Sequence, residues 1–286
     1  MLDGVAYRML GRVHDAEDVV QEAWLRWAAV DQDTVREPRA YLVRVTTRLA
    51  IDRLRQAQSR REAYVGPWLP EPLVTDLVST ASPAQDGAER AVLVESVSLA
   101  VLVVLESLSP LERAVFVLRE AFGYPFAEIA EVLERGEPAV RQLATRARRH
   151  VEERKPRFEV DPGQQRALTE RFLKAAVEGD LKGLLALLAP DVRLVADSAG
   201  QAKAPRRIIT SADKVGRFLA AVGPEGGERA DTFRLLEING AIGVLAPMED
   251  QQDTAFVLDV ADGLIHSVYV IRSPEKIALL KERSAK

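Results

Sequence analysis

The stretch from Pro125 to Val151 constrains the fold of this chain more than any other. Its apolar spacing predicts a short helix, a tight turn and a second helix. At about 100° per residue the second helix has a polar side and an apolar side. The polar side carries Arg141, Thr145 and Arg148, and the apolar side carries Val140, Leu143, Ala147 and Val151. Such a helix is typical of a reader of the DNA major groove, and a solvated surface helix is the alternative.

The composition describes an ordinary globular protein and excludes several kinds of site. The 286 residues are 47% hydrophobic and 29% charged, which predicts about two domains with real cores. There is no cysteine and the histidines (His14, His150, His266) are far apart, so we expect no metal site and no cofactor. Neither a membrane span nor a signal peptide is evident. We expect a cytoplasmic protein without membrane association, monomeric when free.

The net charge of −4 conceals two basic segments and an acidic one. Residues 39–61 carry seven arginines and one acid, a net +6, and residues 138–157 carry seven cations and two acids, a net +5. Residues 1–37 carry eight acids and four arginines, a net −4. This distribution predicts two contacts with nucleic acid and a separate contact with protein.

Helical patterns run through the first half of the chain. We predict one amphipathic helix over Asp15–Ala29, a second from Pro38 to about Arg61, and a third from about Glu89 to Glu106. Ser109-Pro110-Leu111-Glu112 is a strong start signal for another helix. The segment G-P-W-L-P-E-P at 66–72 cannot be helical, because its prolines fix φ and lack a donor. It begins a linker that extends to about Ala88.

After Pro156 and the D-P-G at 161–163, the pattern changes to α+β. Two helices are predicted over Gln164–Glu178 and Leu181–Leu188. Strand-like runs follow at Val192–Ala196, Thr232–Ile238, Ala241–Ala246, Thr254–Val260 and Leu264–Ile271. Asn239-Gly240 and Asp262-Gly263 are typical hairpin turns between two pairs of these runs. The sequence therefore predicts an all-helical half followed by a separate α+β domain.

The helix from Pro38 is a second candidate for DNA contact. Arg44, Arg48 and Arg55 share roughly a 40° arc at helical spacing, and Leu42, Val45 and Leu49 form a separate apolar stripe. Arginines in this arrangement suit a phosphate backbone or a separated strand, with ordinary surface charge as the alternative. Trp24 and Trp27 lie at helical spacing, which favours a place in the core, with stacking on bases as the alternative.

Four segments together resemble a bacterial extracytoplasmic-function sigma factor over about residues 1–155. They are D-A-E-D-V-V-Q-E-A-W-L-R-W, P-R-A-Y-L-V-R-V-T-T-R-L-A-I-D-R-L-R, L-S-P-L-E-R-A-V-F-V-L-R-E and the helix-turn-helix. The resemblance implies docking on the clamp helices of core RNA polymerase through Asp18, Gln21, Glu22, Leu25 and Arg26. It implies capture of the melted −10 promoter strand by Arg44, Arg48 and Arg55. It also implies reading of the −35 duplex by Arg141, Thr145, Arg148 and Arg149.

Two departures from this family pattern lead to expectations of their own. The chain begins only a few residues before Val5-Ala6-Tyr7-Arg8-Met9-Leu10, so the first sigma helix is expected to be shortened. Glu134 stands four residues after Ala130, where the family usually has glycine, and Gly136 follows two residues later. We therefore expect a slightly altered turn between the two helices.

The W-L-P-E-P linker and the segment E-G-D-L-K-G-L-L-A-L-L-A-P-D-V-R-L resemble a sigma subgroup with a cone-shaped SnoaL-like extension. The expected domains are 1–63 (polymerase and −10), 64–88 (linker), 89–157 (−35) and 163–280 (SnoaL-like). The subgroup's D-G-G-G-K loop corresponds to D-S-A-G-Q-A-K here, so Asp197, Gly200 and Lys203 carry over. We expect the extension to contact the linker at Trp68, Leu69, Pro70, Glu71 and Pro72.

The leading interpretation is a non-catalytic sigma factor that binds core RNA polymerase and promoter DNA, with its activity modulated in cis by the extension. One alternative is a one-component DNA-binding regulator that senses a ligand and does not engage polymerase. Another is a SnoaL-type isomerase or cyclase with a DNA-binding appendage. For that enzyme the titratable candidates are Asp197, Asp259, His266 and Tyr269.

Overall fold

Two structural units make up the chain, and the first part of the linker belongs to the second of them. The computed structural model describes residues 1–61, 64–75, 98–152, 162–224, 232–248 and 252–284. Of these, residues 1–61 and 101–152 belong to a helical unit. Residues 64–75, 98–100 and the described chain from 162 onward form a C-terminal unit.

The helical unit contains most of the predicted helices. Of the third, only Leu99–Leu105 lies within the described residues, and its first two residues are grouped with the C-terminal unit. The helices are α1 (Leu2–Leu10), α2 (Val13–Ala29), α3 (Pro38–Arg61), α4 (Leu99–Leu105), α5 (Pro110–Phe116), α6 (Phe126–Leu133) and α7 (Glu137–Glu152). At the start of α5 the Ser109 hydroxyl accepts from the Glu112 N–H, and the Glu112 carboxylate accepts from the Ser109 N–H. This is the predicted capping box, which satisfies two donors that a helix start otherwise leaves unpaired. No helix among the described residues has the length and apolar character needed to cross a membrane.

The main buried stripe of α3 differs from the predicted one. Val43, Ala50, Ile51 and Leu54 are each at most 5% exposed, whereas Leu42, Val45 and Leu49 are half-buried. The predicted stripe is therefore wrong as the main packing face. Because α3 has apolar residues on more than one side, its periodicity alone does not reveal which side α1 and α2 cover.

A buried arginine connects the beginning of the helical unit to its later helices. Arg113 of α5 is 1% exposed. Its Nε donates to the Arg8 carbonyl at 3.1 Å, in the last turn of α1, where a carbonyl has no partner within its own helix. One terminal nitrogen donates to the Glu106 carboxylate at 2.7 Å. Burial lowers the pKa of Arg113 to about 9, so the side chain stays cationic at neutral pH.

A six-stranded sheet, with the helices Pro162–Val177, Leu181–Leu187 and Ala212–Val222 packed on one face, forms the C-terminal unit, so the predicted α+β class is confirmed. Its elements are α8 (Pro162–Val177), α9 (Leu181–Leu187), β1 (Leu188–Asp197), β2 (Ile209–Thr210), α10 (Ala212–Val222), β3 (Arg234–Ile238), β4 (Ala241–Ala246), β5 (Thr254–Ala261), β6 (Leu264–Ile271) and α11 (Pro274–Ser284). The strand order is β2-β1-β6-β5-β4-β3, parallel between β1 and β6 and antiparallel elsewhere. The helices α10 and α11 and the short strand β2 were not predicted.

Turn residues and a single apolar core explain this topology. Both residues of Asn239-Gly240 and of Asp262-Gly263 have positive φ, between 52° and 73°, as the predicted two-residue hairpins require. Side chains of α8, α9 and α10 pack against one face of the sheet in a common buried cluster that includes Phe172, Leu184, Leu194, Leu219, Val268 and Val270. The opposite face of β1, β5 and β6 carries Asp197, Asp259 and Tyr269.

Candidate polymerase, DNA and linker sites

The five residues predicted to dock on polymerase line one groove of the helical unit. Asp18, Gln21, Glu22, Leu25 and Arg26 surround a groove of about 390 Å³, together with residues of α3. Leu25 is 67% exposed, and the Arg26 guanidinium lies 3.0 Å from the Glu22 carboxylate. The groove thus combines an exposed leucine with a pair of opposite charges.

Trp24 adds to this exposed surface, contrary to the prediction for it. Its side chain is 51% exposed, so the expected core position is wrong for Trp24. Trp27 is half-buried and packs on Tyr41, with the ring centroids 5.5 Å apart. The two tryptophans lie on neighbouring sides of α2, and among the described residues only the side that carries Trp27 is covered.

Arg53 braces the groove and was not predicted. Its guanidinium lies 3.2 Å from the Asp15 carboxylate and 2.5 Å from that of Asp18, so it joins α3 to α2. Arg53 lies outside the arc of Arg44, Arg48 and Arg55. This difference in helical phase was the sequence signal that Arg53 belongs to another side of α3.

The three arginines predicted to meet the −10 strand have different partners. Arg48 donates from Nε to the Val132 carbonyl at 3.0 Å and lies 2.7 Å from the Glu134 carboxylate. Arg44 lies 3.8 Å from the Glu131 carboxylate. Arg55 pairs with Asp52 of its own helix at 3.2 Å. Two of the three are therefore engaged by α6 and the turn that follows it.

The apolar and polar sides predicted for α7 are confirmed. Val140, Leu143, Ala147 and Val151 are buried, whereas Arg141, Thr145, Arg148 and Arg149 are exposed. Arg141 lies 3.0 Å from the Glu137 carboxylate. Arg148 lies 2.7 Å from the Glu120 carboxylate, and this hydrogen bond raises the pKa of Arg148.

Phe126 is a further component of this surface that sequence reasoning missed. The guanidinium carbons of Arg119 and Arg141 each lie 4.7 Å from the centroid of its ring. Cation–π contacts of this kind limit the orientations of a guanidinium. Phe126 therefore helps to orient Arg141, one of the residues predicted to read the −35 duplex.

The turn between α6 and α7 keeps a left-handed residue although glycine is missing there. Glu134 ends α6 with φ 52° and ψ 49°, and its N–H bonds to the carbonyls of Ala130 and Glu131. A side chain in this conformation costs roughly 1–2 kcal/mol relative to the right-handed one. The helix therefore ends on a left-handed glutamate, which bears a strain that glycine would not have at this position.

The Asp197 carboxylate holds the linker at the end of β1. Asp197 is 0% exposed. One oxygen accepts from the Tyr64 hydroxyl at 2.5 Å, and the other accepts from the Leu69 N–H at 2.8 Å and from the Lys276 ammonium at 2.6 Å. Burial and the bond to Asp197 raise the pKa of Tyr64. We call these four residues the Asp197 clasp.

Lys276 completes the clasp from the first turn of α11. It is 4% exposed, donates to the Leu69 carbonyl as well, and lies 4.5 Å from the Trp68 ring centroid. A cation at a helix N-terminus is disfavoured by the helix dipole, so the Asp197 carboxylate is its necessary counter-charge. The Ser273-Pro274 pair resembles the start signal at Ser109-Pro110 and could have revealed α11.

Further along, the linker pairs with β3, the last strand of the sheet. The Leu73 carbonyl accepts from the Asn239 N–H at 2.8 Å, and the Thr75 N–H donates to the Glu237 carbonyl at 2.9 Å. The Thr75 hydroxyl donates to the Glu237 carboxylate at 2.7 Å. Since β1 and β3 are separated by three strands, residues 69–75 cross the sheet, and Leu69, Pro70, Glu71, Pro72 and Leu73 are buried along the way.

The loop after β1 packs closely against the linker at Gly200, and its lysine, Lys203, is exposed to solvent. Gly200 has φ 71°, and a Cβ there would lie 2.9 Å from the side chain of Val65. Lys203 is exposed, and its carbonyl accepts from Arg272 at 2.6 Å. The cation that binds Asp197 belongs to Lys276, 79 residues away in sequence.

The remaining candidates for enzyme chemistry lie on β5 and β6. Asp259 is opposite Ser267, and burial raises the pKa of Asp259 to about 6, although the nearby His266 lowers it. Tyr269 is 5% exposed, and burial raises its pKa. His266 lies 4.0 Å from Asp191. Asp197, the fourth candidate, is occupied in the clasp.

The raised pKa of Asp259 predicts a dependence of stability on pH. Its ordinary value of 3.8 applies to the unfolded chain, so between pH 4 and 6 the folded state binds more protons and stability falls as pH rises. Asp259→Asn is expected to remove this fall and to raise the unfolding free energy at pH 7.5 by roughly 1–2 kcal/mol. Urea unfolding at pH 4.5 and 7.5 measures it. Equal losses in both proteins over that range would contradict the assignment.

Comparisons with known proteins follow the same division of the chain. Residues 1–60 match the family model of Sigma-70 region 2, and residues 98–151 match that of Sigma-70, region 4. The first matched segment covers α1 to α3 up to, but not including, the last residue of α3, and the second covers α4 to α7 up to, but not including, the last residue of α7. The groove lined by Asp18, Glu22 and Leu25 and the arginines of α3 thus lie in the region 2 match, and the helix-turn-helix lies in the region 4 match.

Similarity to known sigma factors extends through the C-terminal unit. The chain is 41% identical over 295 residues to the ECF RNA polymerase sigma factor SigJ of Mycobacterium tuberculosis (strain ATCC 25618 / H37Rv), covering 99% of this chain and 93% of that protein. It is 33% identical to the probable ECF RNA polymerase sigma factor SigI of that strain, covering 97% and 91%. The crystal structure of the M. tuberculosis extracytoplasmic function sigma factor SigJ matches with a TM-score of 0.79 at 37% identity, covering 97% and 94%. This chain therefore belongs to the extracytoplasmic-function family of RNA polymerase sigma factors.

Proposed function

We propose that this sigma factor, which directs transcription initiation, is regulated in cis by its C-terminal unit through the linker. The observation that carries the proposal is the Asp197 clasp, in which a buried carboxylate and a buried ammonium both bind the backbone of Leu69. Pairing of residues 73–75 with the edge of the sheet adds a second attachment.

Binding of the linker to the C-terminal unit would restrict the distances that α3 and the helix-turn-helix can take from one another. Residues 64–75 are the first half of the predicted linker between α3 and the helix-turn-helix. A free linker allows many separations of its ends, whereas a bound segment contributes a fixed path. The C-terminal unit would then set how readily the helices on either side reach the −10 and −35 elements together.

The contacts with polymerase and DNA form the remainder of the proposal. We assign the clamp helices of core RNA polymerase to the groove lined by Asp18, Gln21, Glu22, Leu25 and Arg26. We assign the melted −10 strand to Arg44, Arg48 and Arg55, and the −35 duplex to Arg141, Thr145, Arg148 and Arg149. Because these DNA contacts are cationic, promoter binding should weaken steeply with added salt.

Trp68→Ala/Leu69→Ala tests the regulatory role directly. Leu69 is fully buried and the Trp68 ring covers Lys276, so the double variant is expected to loosen the linker and to change promoter-dependent transcription. A change of about tenfold corresponds to about 1.4 kcal/mol in the linker equilibrium. Transcription in vitro with core polymerase, on a promoter that the wild-type protein uses, measures it.

A matched control separates regulation from general loss of structure. Leu185→Ala removes a leucine that is 38% exposed on α9 of the same unit, and it should leave transcription unchanged. Circular dichroism should show that both variants remain folded. If Trp68→Ala/Leu69→Ala transcribes as the wild type does, regulation through the linker is wrong. Retention by immobilised core polymerase would distinguish a sigma factor from a one-component regulator.

A further inference from the structure

Two acidic side chains of the helix-turn-helix lie on the arginines assigned to the −10 strand. Glu134 lies 2.7 Å from the Arg48 guanidinium, and Glu131 lies 3.8 Å from that of Arg44. Arg48 also donates to the Val132 carbonyl at 3.0 Å. The last turn of α6 and the residue after it thus provide two carboxylates and one carbonyl to a single face of α3.

The backbone of Glu134 is strained, which supports a role for its side chain in this contact. At φ 52° glycine would be the least strained residue, and a glutamate there costs free energy in the helix-turn-helix itself. Strained residues persist where the surrounding structure uses them. The contact that uses Glu134 is its ion pair with Arg48.

The chemistry of this contact resembles that of the expected nucleic-acid ligand. Guanidinium groups bind carboxylates and phosphates through the same charge-assisted hydrogen bonds. While Glu131 and Glu134 lie against Arg44 and Arg48, their carboxylates therefore compete with the phosphates of a DNA strand for these two guanidinium groups. This inference rests on the proposed role of Arg44 and Arg48 in binding the −10 strand, and it is separate from regulation through the linker.

We propose that Glu131 and Glu134 act as phosphate mimics that occupy the strand-binding face of α3 in the free protein. Single-stranded DNA then competes with the two glutamates for the same arginines of α3. The glutamates are 71% and 74% exposed, and exposed ion pairs are weak. DNA phosphates can therefore displace them, which a reversible block requires.

The test compares single-strand binding by Glu131→Gln/Glu134→Gln and by the wild type. The probe is a fluorescent oligo(dT) strand, whose affinity is measured by anisotropy at fixed salt. The double variant should bind at least about threefold more tightly, the effect expected of releasing weak exposed pairs. In an Arg44→Ala/Arg48→Ala background the same two substitutions should give no such gain, because the arginines that they release are absent.

The control addresses the general effect of removing negative charge near DNA. Glu128→Gln removes one exposed carboxylate from the same helix, α6, and should change the affinity by less than about twofold per charge, as ordinary surface electrostatics predicts. If the double variant gains no more per charge than Glu128→Gln, or keeps its gain without Arg44 and Arg48, the proposal is overturned.

A distance measurement tests the closed arrangement independently of DNA and of transcription. The chain has no cysteine, so spin labels at Gln56→Cys and Ala127→Cys report on α3 and α6 alone. The wild-type background should give one short distance, and Glu131→Gln/Glu134→Gln should lengthen or broaden it. Identical distributions would overturn the block. This distance measurement does not depend on the linker. Regulation through the linker is tested separately, by Trp68→Ala/Leu69→Ala.

Discussion

Replacing Asp197 by alanine is expected to lower the free energy of unfolding of the C-terminal unit by about 3–5 kcal/mol. Breaking a buried ion pair by removing one partner leaves the other charge uncompensated, and losses of this size are typical. Lys276 is 4% exposed, so water does not replace the missing carboxylate. The variant also removes the acceptor of the Leu69 N–H and of the Tyr64 hydroxyl.

Companion variants identify the buried charge as the cause. Lys276→Ala should cost about as much as Asp197→Ala, and Asp197→Asn/Lys276→Met should recover part of the loss, because it leaves no isolated charge. Tyr64→Phe removes one hydrogen bond and should cost about 1 kcal/mol. Urea unfolding followed by tryptophan fluorescence measures all four. A loss below about 1 kcal/mol for Asp197→Ala would mean that the clasp does not hold the linker.

The loss of the Asp197 carboxylate should also change promoter-dependent transcription. Both Asp197→Ala and Trp68→Ala/Leu69→Ala release residues near Leu69 from the C-terminal unit. The two variants should therefore change transcription in the same direction. If the two variants change transcription in opposite directions, the stability of the C-terminal unit and its effect on the linker are separate properties.

Replacing Arg113 by methionine is expected to lower the unfolding free energy of the helical unit by about 3–5 kcal/mol. Methionine keeps an apolar stem of similar length but offers no donors, so the Glu106 carboxylate loses its buried counter-ion. The Arg8 carbonyl at the end of α1 also loses its donor. An unsatisfied buried group of this kind costs about 1–3 kcal/mol by itself.

Arg135→Met is the matched control for Arg113, since it makes the same chemical change at an exposed position. It should alter stability by no more than about 0.5 kcal/mol. Arg113→Lys should fall between the two, because an ammonium group keeps the charge but cannot reach both acceptors with a planar fork. Thermal unfolding followed by circular dichroism ranks the three variants. Equal midpoints for Arg113→Met and Arg135→Met would rule out a structural role for the buried arginine.

Local patterns predicted the secondary structure well wherever one side of an element is plainly apolar. The two sides of α7 were predicted because its cations and its valine, leucine and alanine residues segregate at helical spacing. The hairpins at Asn239-Gly240 and Asp262-Gly263 were predicted because few residue pairs accept two positive φ angles. The same reasoning failed for α3, where more than one side is apolar, and for Trp24, whose side of α2 is uncovered.

The sequence by itself did not reveal α10, α11 and β2, but it determined most of the helices and strands, the helix-turn-helix, the α+β class of the C-terminal unit and the sigma family. These depend on repeats and turns within a few residues of one another. Only the tertiary structure decided which charges meet. Arg48 binds the Val132 carbonyl 84 residues later, and Asp197 binds Leu69 and Lys276, 128 and 79 residues away. Because any acid and any base attract at close range, no local pattern selects the partner. The packing of whole helices and strands brings one pair together and buries it.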